Sequence, residues 1–227
     1  MSGELAGQIA LSGLIFVLIS ALIFWPLEEL FEPHGSVRPS WKDLGAMWFY
    51  QSCGLWISAG LLLELAFLLR SHMPLAWTEP VHRWPFGIQV LAALLLAETW
   101  IYVFHRLSHQ WDFLWKFHRL HHTLEDMTWS ASSRQHPVDF LLIIVGANIP
   151  AMLLGIDLRS IGLFLVLERL YTVFLHSNLP LHWGWFARVV ASPRLHRHHH
   201  QPHGHRSNYA GFLSLLDVIG RTYRHPS

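Results

Sequence analysis

The sequence predicts an all-α fold: a multi-pass integral membrane helical bundle with a cytosolic, histidine-rich helical cap. Three observations predict it. Of 227 residues, 52% are hydrophobic and 14% charged, with a mean hydropathy of +0.30, whereas soluble domains average roughly 25% charged residues. The apolar residues fall in runs close to the roughly 20 residues that carry a helix across about 30 Å of hydrocarbon. The polar remainder is rich in histidine, 18 residues in all, gathered at the ends of those runs.

The first run, Ile9 to Leu27, carries no charge and lacks a basic leader and a small-residue cleavage site, so it reads as a retained helix. A second spans Gly45 to Leu69 with Glu64 as its one charge. A third runs from Phe86 to Phe104 with Glu98 near its end. Val138 to Ile156 and Ile161 to Leu175 read as a hairpin of two shorter helices turning at Gly155-Ile156-Asp157. Asn148 and Pro150 weaken its first arm, which is expected to dip into the membrane rather than to cross it. The stretches Glu32 to Asp43, Arg70 to Pro85, His105 to Pro137 and His176 to Ser227 are polar. Twelve tryptophans suit interfacial belts.

The hairpin leaves at Pro137 and returns at His176 on the same side, so every histidine cluster lies on one membrane face. That face also collects most of the arginines between Arg106 and Arg224, which makes it cytoplasmic by the positive-inside rule. A net charge of +1 gives no case for nucleic acid. The single cysteine, Cys53, rules out an internal disulfide and a multi-thiolate site.

His105-x3-His109 places two imidazoles one helical turn apart. His118-x2-His121-His122 and His196-x2-His199-His200 each span an arc of about 100° on a helix, so neighbouring nitrogens can reach different ions. Ser192-Pro193 reads as an N-cap with proline at N1. His176 stands at the hairpin's exit. One such cluster is weak evidence; three on one face point to a shared metal centre. His34, His72 and His82 sit in early loops and read as surface residues, and His203, His205 and His225 as loop or tail residues. His136 and His182 stay open between ligand and orienting partner.

Neutral imidazole suits zinc, copper, iron and nickel, but a zinc site closes at four ligands. Eight or nine convergent histidines therefore imply two ions. Soluble di-iron bundles rely on carboxylates and paired Glu-x-x-His motifs, which are missing here, so the shell would be nearly all nitrogen. Beside helices able to admit an acyl or sterol chain, such a centre suits attack on an unactivated C–H bond, which needs an oxidant drawn from O2.

The histidine clusters resemble the three histidine boxes of the fatty acid hydroxylase / sterol desaturase superfamily. Similar flanks accompany them: Glu98-x3-Tyr102-x2-His105-Arg106, Leu114-Trp115-Lys116-Phe117-His118, Arg134-Gln135-His136-Pro137, Phe174-Leu175-His176-Ser177-Asn178, Asn208-Tyr209-Ala210-Gly211 and Leu216-Asp217 through Tyr223. The resemblance covers about residues 95 to 225. Leu216 and Ile219 stand where the family usually has Trp and Phe, and Ala210 precedes the usual glycine.

The resemblance implies a membrane di-iron oxidase that uses O2 and two electrons to hydroxylate or desaturate a lipid. Ferredoxin, or cytochrome b5 with its reductase, would deliver the electrons. Residues 1–85 would be N-terminal transmembrane helices and residues 86–227 the catalytic domain. Carried over residue by residue, the ligands are His105, His109, His118, His121, His122, His176, His196, His199 and His200. Glu98, Asn208 and Asp217, with Asp126 and Asp139, are candidates to orient them, Glu98 by accepting an N–H from a ligating histidine. A bacterial inner membrane is favoured over the endoplasmic reticulum. The competing class is a histidine-rich membrane metal-binding or transport protein without oxidase activity, whose transmembrane path should be lined with ionisable groups; here the spans offer Glu64, Glu98 and Glu168-Arg169.

Overall fold

The computed structural model describes residues 3–31, 38–70, 75–123 and 127–226. His34, His72 and Asp126, named above, lie outside them. Among the described residues the secondary structure is entirely helical.

Helix α1 (Gly3–Phe31) contains the first apolar run. The second run belongs to a rod in which α2 (Trp41–Phe49) passes through a π turn (Tyr50–Gly54) into α3 (Leu55–Arg70). The wide turn sits where neighbours crowd the rod. A Cβ on Gly13 of α1 would collide with Ser52, and one on Gly54 would lie 2.9 Å from the Phe140 ring. Tyr50 donates from its hydroxyl to the Gln135 carbonyl (2.8 Å). π turns occur mostly as single-turn bulges inside longer α-helices, as here. The stretch read as the polar segment Arg70 to Pro85 contains a further short helix, α4 (Leu75–His82).

The centre of the molecule is α5 (Phe86–Ser108) packed on the hairpin of α7 (Pro137–Leu153) and α8 (Leu158–His176). Small side chains let these helices approach: Ala93, Ala97, Ala147 and Ala151 are buried among Ile144, Ile161 and Phe164. A Cβ on Gly146 would run into Trp100, whose indole N–H donates to the Leu142 carbonyl (3.3 Å). The hairpin turns where the sequence predicts. Gly155 takes φ +81°, open to glycine without strain, and the Asp157 carboxylate caps α8 by accepting from Arg159 N (2.7 Å). Gln89 at the start of α5 ties this corner down, accepting from Asp157 N (2.7 Å) and donating to the Trp84 carbonyl (3.0 Å).

Two helices, residues 6–31 within α1 and α5, are long and apolar enough to cross a membrane, and α7 is an apolar helix of shorter length. The outward faces of α1, α5 and α8 carry leucines such as Leu18, Leu22, Leu91, Leu95 and Leu163.

The two histidine-bearing polar segments fold over one end of this assembly as α6 (Asp112–His118), α9 (Pro193–His200), α10 (Leu215–Ile219) and short 3-10 turns. The N-terminal helices are joined to them by buried charge. Glu28, at the end of α1, accepts from the backbone N–H groups of Trp129 (2.8 Å) and Asn178 (2.7 Å). Asp43 at the start of α2 binds Arg134 through both oxygens (2.7 and 2.9 Å).

Candidate metal centre

Nine histidines converge in two adjoining groups. His105, His109, His118, His122 and His199 form one; His121, His176, His196 and His200 form the other. Within each group the candidate donor atoms all lie within 4.8 Å of one another. These are the nine residues singled out in the sequence, drawn from four segments. The HxxHH clusters divide by a common rule. In each, the i,i+4 pair (His118 with His122, His196 with His200) serves one group and the i+3 residue (His121, His199) serves the other. One short segment thereby braces both groups.

The backbone achieves this differently in the two clusters. Ser192 caps α9 by accepting from Leu195 N (3.3 Å), with Pro193 in the first turn, and the helix carries all three histidines. The second cluster does not lie on one helix. Helix α6 ends at His118, and a 3-10 turn (His121–Thr123) carries the other two. A tighter turn brings residues three apart closer to eclipse.

The rings are oriented from outside. Nδ1 of His105 lies 2.7 Å from the Tyr209 carbonyl, that of His121 3.3 Å from Arg134 O, that of His176 2.8 Å from Thr172 O and that of His199 2.6 Å from Ser207 O. His118 Nδ1 meets the buried carboxylate of Asp139 at 3.0 Å. Carbonyls and carboxylates only accept, so these five Nδ1 atoms carry the proton, and a neutral ring then presents a lone pair at Nε2.

Two of those lone pairs, on His121 and His176, point at each other. His121 Nε2 lies 3.2 Å from His176 Nε2, with no hydrogen available between them. His105 and His109 meet at 3.3 Å, His176 and His196 at 3.2 Å, and His196 and His200 at 3.2 Å, each Nε2 to Nε2. The Nε2 atoms of His118, His122 and His199 are buried without a partner among the described residues. Extra protons are not a remedy, because burial lowers His118 and His121 to about 3 and holds His196, His199 and His200 well below the ordinary value. A cation in each group resolves the conflict. Nitrogens about 2.1 Å from a shared ion stand about 3.0 to 3.4 Å apart between right-angled and tetrahedral geometry, which brackets the observed separations.

The other candidates take different places. Glu98 accepts from the backbone N–H groups of Phe212 (2.7 Å) and Leu213 (3.0 Å), so the histidine contact expected of it is made instead by Asp139. Asp217 accepts from Tyr209 N (2.8 Å), Ala210 N (2.9 Å) and the Thr222 hydroxyl (2.7 Å), holding the turn whose carbonyl holds His105. Asn208 adopts φ +57°, in the left-handed region that Asn tolerates better than most residues. Its side chain exchanges hydrogen bonds with the backbone of Arg224. The bend lets Ser207 and Tyr209 aim carbonyls at two histidines of one group. His136 and His182 are outside both groups: each accepts at Nδ1 from a backbone amide two residues on, Val138 and Gly184. His198 faces His203, and His82 is exposed.

A pocket of about 90 Å³ touches both groups through His105, His118, His121, His176 and His196. It adjoins an apolar cavity of about 270 Å³ between α5 and α8, sharing Glu168, Thr172, Leu175 and Gly211 with it.

A family model described as fatty acid hydroxylase matches residues 90–222. Ornithine lipid hydroxylase OlsE of Rhizobium tropici is 32% identical over 147 residues, 63% of this chain and 44% of that protein. Sphinganine C4-monooxygenase 1 of Arabidopsis thaliana is 31% identical over 139 residues, 60% of this chain and 54% of that one. Human alkylglycerol monooxygenase is 26% identical over 134 residues, 58% and 30% respectively. The chain thus spans about half or less of the length of these relatives. No solved structure matches.

Proposed function

The chain belongs to the fatty acid hydroxylase family, and from that membership we propose that it is a membrane-bound, O2-dependent di-iron oxidase that hydroxylates or desaturates a lipid C–H bond. The observation that carries the reading is the meeting of two Nε2 lone pairs across 3.2 Å at the junction of separate segments, His121 against His176, with His196 Nε2 a further 3.2 Å from His176. The nine histidines would hold two iron ions, five on one and four on the other. Iron bound there supplies the activation of O2 that an unactivated C–H bond requires.

The chain's own part is to fix the imidazoles and keep water out. Asp139 and the carbonyls of Arg134, Thr172, Ser207 and Tyr209 set the tautomer and aim of five rings, the usual task of groups behind metal ligands. The apolar cavity between α5 and α8 would receive the lipid chain and present one carbon in the pocket that touches both histidine groups. Hydroxylation consumes O2 and two electrons with two protons, placing one oxygen on the lipid and releasing the other as water. The electrons would come from ferredoxin or from cytochrome b5 with its reductase. In this reading α1, the α2–α3 rod, α5 and the α7–α8 hairpin lie in the bilayer as a multi-pass bundle, and the histidine-bearing cap faces the cytoplasm.

Lipid extracts of cells expressing the chain test this. Against cells expressing His121→Ala, the proposal expects a lipid class that has gained one oxygen atom or lost two hydrogens. Identical lipid profiles, with both proteins present in the membrane, would refute it.

A further inference from the structure

Seven of the nine clustered histidines are buried, and His109 and His122, both of one group, are partly exposed. An ion travelling to the centre from solvent reaches these two rings first. Trp115 lies against both, its ring centre 5.1 Å from that of His109 and 5.5 Å from that of His122. Beside it stands His205, partly exposed, 6.4 Å from Trp115 and 6.2 Å from His109. His205 Nδ1 meets the Pro202 carbonyl at 2.6 Å, so the proton is on that atom and Nε2 presents a lone pair. Backbone carbonyls set the rings of four clustered histidines in the same way.

Two more histidines stand at the surface end of the same turn. The chain after α9 folds back on the helix, with Gly204 N and His205 N donating to the Gln201 carbonyl (2.9 and 3.0 Å). A Cβ on Gly204 would collide with the His198 carbonyl, so glycine lets the turn close this tightly. The fold sets exposed His203 against half-buried His198, ring centres 5.2 Å apart. Neighbouring rings inside the two clustered groups are separated by 4.5 to 6.5 Å. His198 with His203 and His205 with His109 both fall in that range.

We propose that His198 and His203 form an outer, exchangeable site for a divalent transition-metal ion, and that His205 hands the ion to His109. Neutral imidazole suits iron, zinc, copper and nickel. Two imidazoles leave the other coordination positions to water, so an ion there is held more loosely than in a group of four or five. A loading site needs that looseness, because the ion must leave it to move inward. The handover rests on the proposed metal centre; the outer site does not.

Anaerobic titration of the metal-free chain in detergent with Fe²⁺ tests both parts. Equilibrium dialysis should give two tightly held ions and a third held at least about tenfold more weakly. The third ion should vanish in His203→Gln and in His198→Gln while the tight pair remains. Because His203 is exposed, His203→Gln decides the matter if His198→Gln fails to fold. Rapid mixing follows the filling of the tight pair, which should slow about tenfold in His205→Gln, the scale on which association rates respond to changes at one site. Final content should be unchanged. His203→Gln should slow filling as well, which keeps this arm decisive if His205→Gln does not fold. Two ions with no third in the wild type, or a third that survives both folded variants, overturns the outer site. Filling at the wild-type rate in the folded variants overturns the handover. A chain that takes up the weak ion alone would remove the metal-centre reading and leave the outer site standing.

Discussion

Asp139 Oδ2 accepts from His118 Nδ1 at 3.0 Å, both side chains buried to within 3% of complete. The contact joins the start of α7 to the end of α6 and fixes the proton of His118 on the side away from its group. Asp139→Ala should therefore lower metal affinity by about 10- to 100-fold while leaving the ligand set intact. Competition with a chelator on the purified protein measures it; an unchanged affinity would show the carboxylate to be incidental.

Burial lowers His118 and His121 from 6.5 to about 3. The folded values lie below the unfolded ones, so between about pH 6.5 and 3 the unfolded chain binds more protons and stability falls as pH drops. Metal, which needs neutral imidazole, should leave over the same window. The metal-free protein is expected to melt at progressively lower temperature on acidification from about pH 6.5. A melting temperature flat to roughly pH 4 would count against this.

Much of the centre was legible because metal ligation demands a particular side chain at a particular spacing. The spacings of His118–His122 and of His196–His200 show in the sequence that neighbouring nitrogens can reach different ions, and the structure adds which residue serves which group. What orients the rings was not legible: four of the five outer acceptors are backbone carbonyls, of Arg134, Thr172, Ser207 and Tyr209, and any residue type supplies a carbonyl. Glu98 misled because a buried carboxylate on the histidine stripe looks like a ring's partner; only the return of residues 212–213 shows that it caps a loop. The π turn at Tyr50–Gly54 was hidden because it answers to residues far away, Ser52 against Gly13 and Gly54 against Phe140.

Glu28 carries the same lesson to the N-terminal helix. It accepts two backbone hydrogen bonds, one from Asn178, two residues beyond His176. Glu28→Ala leaves both amides buried and unpaired, a cost of about 1–3 kcal/mol for each. A clear drop in melting temperature is expected, read in detergent with metal content monitored in parallel. No change would mean that α1 is not fastened to the cap in this way.

A Cβ on Gly220 would overlap the Tyr102 hydroxyl, which bonds Thr222 Oγ1 (3.0 Å) and accepts from Arg106 (3.0 Å). Gly220→Ala should destabilise by about 1–3 kcal/mol through overpacking, and Tyr102→Phe in the same chain should recover part of it. Absence of recovery would place the clash elsewhere.

Metal analysis of the chain purified in detergent tests the central claim most directly. The account predicts about two iron ions per chain, one for each histidine group, with iron lost in His118→Ala and in His199→Ala. A single zinc ion, a haem spectrum, or iron content unchanged in both variants would contradict it.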